Sequence, residues 1–194
     1  MNENSKKLNR SVKIALLAAI ASILMFIEFP IIPAFPWLKL DLSELPVLLG
    51  GFGLGPLAAV AIEFIKILLK LLLKGTETGF VGEIANFVIG CSLVLPAAII
   101  YKKKRTNLSA ILGMIIGIVI MNIFAIIANI YFLLPAYGIP VTPDYARSYA
   151  LFGLIPLNSI KGLLTAVVSY PLYIKLGKHI FGANNGYNNV EYRM

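Results

Sequence analysis

The chain reads as an all-α integral membrane protein of six transmembrane helices, the second of them short and both termini cytoplasmic. Three observations on its 194 residues carry that reading. Apolar residues make up 59% and charged residues 13%, against roughly 45–50% and about 25% in soluble domains. The apolar residues gather into five runs, 14–37, 45–73, 80–101, 108–134 and 150–176. Each supplies the roughly 20 residues needed to cross about 30 Å of hydrocarbon. The net charge of +8 sits at the edges of those runs, where the cytoplasmic lysines and arginines of membrane proteins collect. That placement excludes a nucleic-acid partner, which calls for a basic face on a folded domain. With one cysteine the chain is not a disulfide scaffold. The composition also excludes a disordered chain and an ordinary water-soluble enzyme.

The elements follow in order. The first run is entered through Lys6, Lys7, Arg10 and Lys13 and is interrupted only by Glu28. Ala19-Ile20-Ala21 has the look of a signal-peptide cleavage site, but the apolar stretch continues well past it, so an uncleaved helix is predicted. The second run holds Gly50, Gly51, Gly53, Gly55 and Pro56, which predict a break. Charge parity requires that break. The N-terminus and Lys102-Lys103-Lys104-Arg105 both belong inside, so an even number of crossings separates them. Splitting the run at its glycines supplies four. Two further helices return Lys175, Lys178 and Arg193 to the cytoplasm. Residues 40–73 cover only about 51 Å as helix, short of the roughly 60 Å that two full spans need, so the second helix is short. The result is a single membrane domain over 1–194, with tails at about 1–10 and about 179–194. Its outer loops are 29–44, 74–79 and 135–149. The first loop carries Pro30, Pro33, Pro36 and Trp37 and is either a lid or an interfacial anchor.

Charges inside a bilayer cost roughly 2.5–3.5 kcal/mol each on insertion scales, so each needs a partner or a purpose. Glu63, Lys66, Lys70 and Lys74 fall within an arc of about 80° on one helix face. Glu63 and Lys66 can pair, and the later lysines can snorkel outward. Glu83 and Asn86 share a face, as do Asn122 and Asn129, and Asn158, Lys161 and Thr165. Helix-to-helix glue explains any one of them. Together they predict a small-molecule pocket, walled by Trp37, Phe80, Phe87, Tyr131 and Phe132. Asparagine both donates and accepts, which suits an imide or amide edge and hydroxyl groups. His179 at the cytoplasmic edge is read as structural and Cys91 as a buried small hydrophobe. The sequence has no G-x-x-x-x-G-K-[ST] motif, metal-ligand cluster, nucleophilic triad or evident inverted repeat. Transport driven by an external motor is therefore attractive. Ala15, Ala18, Ala19 and Ser22 form a smooth stripe, and Gly113-x-x-x-Gly117 another; either packs the bundle or receives a foreign helix.

Four stretches carry a resemblance: 35–46 (FPWLKLDLSELP), 55–58 (GPLA), 75–87 (GTETGFVGEIANF) and 158–162 (NSIKG). Through them the chain resembles the riboflavin-specific S components of energy-coupling factor (ECF) vitamin transporters, over nearly its whole length. The resemblance implies a non-enzymatic, high-affinity riboflavin-binding subunit in a prokaryotic plasma membrane. Riboflavin would be its transported substrate, and no cofactor is implied. Partners would be a transmembrane coupling subunit, two cytoplasmic ATPases and the lipid bilayer, with no nucleic acid. Ligand contacts would come from Leu38, Lys39, Leu40 and Asp41, from Asn129, and from Asn158 and Lys161, with Glu83 and Asn86 as weaker transfers. Ala15 and Ala19 match the family's A-x-x-x-A contact to the coupling subunit. An S component for another vitamin, a stand-alone secondary carrier and a membrane interaction protein remain as alternatives.

Overall fold

The computed structural model describes residues 3–181, without the side chains at positions 176, 178 and 179. The expectations for Lys178, His179, Arg193 and the C-terminal tail lie outside the described residues. The described residues form six helices: α1 (Glu3–Phe26), α2 (Glu44–Leu54), α3 (Pro56–Lys74), α4 (Val81–Lys104), α5 (Asn107–Ala136) and α6 (143–181). Four of them, α1, α4, α5 and α6, are long and apolar enough to cross a membrane. Helix α3 is 19 residues long but carries Glu63, Lys66, Lys70 and Lys74. Helix α2 has 11 residues and is about 17 Å long, the short second helix that the length arithmetic requires. Helix α1 already starts at Glu3, so Lys6, Lys7 and Arg10 ride on its first turns rather than in an extended tail.

The break between α2 and α3 is narrower than the sequence predicts. Gly50, Gly51 and Gly53 are helical, and only Gly55, at φ +96°, interrupts the chain before Pro56 opens α3. The other glycines admit neighbours. A Cβ on Gly51 would lie 3.1 Å from the Cβ of Ala98 and 3.3 Å from that of Ala59, and one on Gly53 would overlap the Phe181 ring. Helices α4 and α5 form a tight hairpin. Arg105 turns it with φ +50°, and Thr106 and Ser109 cap α5 reciprocally. The Gly113-x-x-x-Gly117 motif is used here, inside the bundle. A Cβ at Gly113 would come within 2.9 Å of the Ala97 backbone, and one at Gly117 would overlap the Leu93 carbonyl.

Two clusters make the core. The larger runs through the middle of the bundle, with Leu48, Ile62, Leu93, Val94 and Met121 at its centre. The smaller lies at the other end from the basic 102–105 turn and joins Phe35, Leu38 and Leu40 to Leu134, Tyr149 and Leu154. The polypeptide after α1 folds there as a hairpin, β1 (Phe29–Pro30) against β2 (Lys39–Leu40), antiparallel with Phe29 opposite Leu40. At the same end α5 and α6 each contain one π-helical turn, Asn129–Leu133 and Ala150–Leu154. The loop expected over 135–149 shrinks to 137–142. Helix α5 continues to Ala136, while Thr142 caps the Tyr145 N–H and Pro143 supplies a preset φ for the first turn of α6.

Candidate ligand cavity

Recesses open on the described surface. One, about 440 Å³, lies between α4 and α5, and Ile84, Val88, Phe124 and Phe132 are among its wholly apolar lining. A second, about 320 Å³, separates α3 from α4 and takes in Phe64, Phe87 and Glu83. The third, about 260 Å³, lies under the hairpin, and nearly all the recessed polar groups converge on it. Recognition needs a few placed polar groups inside an apolar wall. The recess under the hairpin has both.

Six segments build most of that cavity. Met25 and Glu28 come from the end of α1, Trp37, Leu38, Lys39 and Asp41 from the hairpin, and Lys70 and Lys74 from α3. Asn86 and Ile89 come from α4, Asn129 and Leu133 from α5, and Leu154, Asn158 and Lys161 from α6. Both inward asparagines are fixed by their own helices. Asn129 Nδ2 donates to the Ala125 carbonyl at 2.9 Å and Asn158 Nδ2 to the Leu154 carbonyl at 2.8 Å. This back-bonding takes a carbonyl four residues earlier. Leu154 is also the last residue of the second π-helical turn, and such turns tend to mark functional positions. Beside the cavity Trp37 Nε1 donates to Tyr149 Oη at 3.2 Å, and Tyr149 in turn donates to Asn129 Oδ1 at 3.1 Å. Phe35 packs edge-on against Tyr149 with ring centroids 4.9 Å apart and backs this chain of bonds.

Lys161 has its partners within the protein. Its Nζ lies 2.9 Å from Asp41 Oδ2 and 3.6 Å from Glu44 Oε1. Glu44 Oε1 is also 2.9 Å from Lys66 Nζ, which lies 2.7 Å from Glu63 Oε1. Five charged residues from the hairpin, α2, α3 and α6 therefore form one buried chain. Gly90 makes room for it, since a Cβ there would overlap the Glu63 carboxylate. Asp41 uses its other oxygen to accept the Ser43 N–H at 2.8 Å, at the entrance to α2. Burial pushes the Asp41 carboxyl up, but the Lys161 and Lys66 ammonium groups outweigh it and hold the group well below the usual carboxylate range. At the mouth, Glu28 meets Lys39 at 2.9 Å, Lys74 at 3.3 Å and Lys70 at 3.7 Å. Burial raises the Glu28 carboxyl, the three lysines lower it, and the lysines prevail.

Of the predicted ligand residues, Leu38, Lys39, Asp41, Asn86, Asn129, Asn158 and Lys161 line this cavity. Leu40 and Glu83 do not. Leu40 alternates with Lys39 along β2 and points into the smaller core cluster. Glu83 faces the α3–α4 recess and accepts a hydrogen bond from Thr76 at 2.9 Å. Asn122 donates to the Ile118 carbonyl and reaches Ser159, so it joins α5 to α6. Of the expected aromatic walls only Trp37 is in place. Phe80, Tyr131 and Phe132 are exposed outward, and Phe87 packs on Phe64. Lys70 and Lys74 turn to Glu28 rather than snorkelling free. Sequence reasoning missed Glu28, Glu44, Tyr149 and the lining residue Tyr137. A carboxylate two residues past a helix end, facing a lysine stripe on another helix, was the available signal for Glu28.

The small-residue stripe of α1 divides. Ala18 and Ser22 are buried in the bundle, while Ala15 and Ala19 are exposed.

The family model for the substrate-specific component of ECF transporters matches residues 9–173. The chain belongs to that family. Among similar proteins, the riboflavin transporter RibU of Staphylococcus aureus (strain TCH60) is 39% identical over 181 residues, 91% of this chain and 95% of that protein. The riboflavin transporter FmnP of Bacillus subtilis (strain 168) is 35% identical, covering 88% and 93%. A solved structure described as the S component of a bacterial ECF transporter superimposes with a TM-score of 0.75 at 39% identity, covering 90% of this chain and 98% of that one. This S component is thus a multi-pass protein of a prokaryotic cell membrane, related to named transporters rather than to enzymes.

Proposed function

We propose that this S component binds riboflavin with high affinity in the cavity beneath the hairpin and serves its uptake. The observation that carries the reading is the convergence of Asn129, Asn158 and Lys161 on one recess with Trp37 beside them, in a chain whose named relatives are riboflavin transporters. The chemistry agrees. A flavin has ring carbonyls, an imide edge, a flat aromatic system and a hydroxylated tail. Asparagine and lysine donors match the carbonyls and hydroxyls, an asparagine oxygen matches the imide N–H, and Trp37, Leu154 and Leu157 offer apolar faces. Leu38, Lys39, Asp41 and Asn86 complete the proposed contact set. Leu40 and Glu83 leave it.

In this reading the 1–194 chain is one membrane domain with both termini cytoplasmic. It needs no catalytic residue or cofactor. ATP hydrolysis by two cytoplasmic subunits drives it through a transmembrane coupling subunit docked on the exposed Ala15 and Ala19, where small side chains let a foreign helix approach.

The test is optical. Protein purified in detergent from riboflavin-replete cells should be yellow, and the stripped protein should quench flavin fluorescence with one-to-one stoichiometry. Colourless protein that leaves flavin fluorescence unchanged while binding another vitamin would assign a different S-component specificity. Uptake by the chain alone, without an ATPase, would make it a secondary carrier.

A further inference from the structure

We propose that Glu28 is the latch of the hairpin lid, a positioning residue that sets how often the cavity opens. The inference rests on the reading of the cavity as the ligand site. The lid's own pairing is slight. Each strand has two residues, and Pro30 brings no N–H to the ladder. The inner side of the lid is held by Asp41 on Lys161 and by Phe35, Leu38 and Leu40 in the smaller core cluster. The outer side hangs on one carboxylate. Glu28 lies just before β1, Lys39 is on β2, and Lys70 and Lys74 are successive turns of α3. Glu77, from the next outer loop, adds a second acid 3.7 Å from Lys74. A single side chain thus ties the root of the lid, its return strand and the rim of the bundle together. The charged groups of this clasp are partly exposed, between 18% and 40% for Glu28 and its three lysines. Dissolved salt therefore reaches and weakens it, unlike the Asp41–Lys161 pair inside.

A latch has a kinetic signature that a ligand contact lacks. It stabilises the closed lid whether the cavity is empty or filled. Weakening it populates the open lid in both states, so capture and escape accelerate together and affinity hardly moves. A lost ligand contact speeds escape alone.

Trp37 is the only tryptophan of the chain and sits on the lid, so it reports closure without any flavin. Stripped wild-type and Glu28→Gln proteins would be compared for acrylamide quenching of Trp37. Stopped-flow riboflavin binding would then give both rate constants. In Glu28→Gln, quenching should rise and both rate constants should increase roughly 5- to 30-fold, the worth of a few partly exposed ion pairs, with Kd within about threefold of wild type. Wild type in about 1 M salt, where the Debye length is roughly 3 Å, should approach the variant, which itself should respond less. This salt arm needs no substitution and stands even if the variant folds poorly. Unchanged Trp37 quenching in folded Glu28→Gln and in salt would overturn the latch. A faster off-rate with an equal loss of affinity would also overturn it, making Glu28 a ligand contact. The quenching arm requires no ligand, so it survives if riboflavin is the wrong substrate.

Discussion

Tyr149 donates its hydroxyl hydrogen to Asn129 Oδ1 at 3.1 Å and so ties α6, at the residue just before its π-helical turn, to the first residue of the π-helical turn of α5. The Tyr149 hydroxyl oxygen in turn accepts from Trp37 Nε1 at 3.2 Å. One buried phenol thereby sets the lid's tryptophan and the carboxamide of α5 in fixed relation. Tyr149→Phe keeps the ring packing on Phe35 but strands both partners. Riboflavin affinity should fall about 5- to 150-fold, the roughly 1–3 kcal/mol of an unpaired buried group. Titration of flavin fluorescence checks it, and wild-type affinity in a folded variant would deny Tyr149 this part.

Asn158 and Lys161 occupy one face of α6 and line the cavity together. Asn158→Ala should weaken riboflavin binding within the same range. Lys161→Ala should weaken binding and also destabilise the protein, because it leaves Asp41 and part of the charge on Glu44 uncompensated. Ser169→Ala, buried deeper on the same helix, should bind as wild type. Size-exclusion profiles separate the folding effect from the binding effect. Full affinity in a monodisperse Asn158→Ala, Lys161→Ala double variant would remove this pair from the site.

The exposed alanines of α1 make a different prediction. Ala15→Trp and Ala19→Trp point away from the bundle, so detergent-purified protein should keep its riboflavin affinity. Uptake by cells should be lost, since an indole holds a partner helix off. Loss of binding and uptake together would place these residues in folding instead.

Glu28 and Asp41 define the acid behaviour. Both are held below their ordinary values of 4.5 and 3.8, so the unfolded chain takes up their protons first as pH falls. Their stabilisation is complete above the unfolded values and disappears as pH drops through the folded ones. The melting temperature in detergent should be level from about pH 7 to pH 5 and decline below roughly pH 4. Asp41→Asn should start lower and decline less steeply. A melting temperature that climbs on acidification would contradict the sign.

Much of this was legible in the sequence because hydropathy and charge parity act over whole segments. The short α2 followed from distance alone, and the Glu63–Lys66 pair from helical spacing. The errors were of another kind. Gly50, Gly51 and Gly53 look like breakers, yet in a crowded bundle a missing Cβ admits Ala98, Ala59 and Phe181, and packing overrides propensity. Phe80, Tyr131 and Phe132 suit a pocket as apolar or stacking walls, but at the outer rim they face away from it. Tyr149 and Glu28 act through partners at least 20 and at least 11 residues away, where local spacing has nothing to say.

Helix α2 has no fully exposed residue along its 11 positions, and its partner α3 buries Glu63 and Lys66. Neither segment is suited to partition into lipid alone, one being too short and the other carrying ions that hydrocarbon rejects by roughly 2.5–3.5 kcal/mol apiece. Joined through Gly55, they bring Glu44 and Glu63 to Lys66 within one hairpin. The two helices therefore form one packing unit, each covered by the other and both walled by α1 and α4. Through Glu44 the same pair of helices anchors the charged chain that reaches the cavity at Lys161.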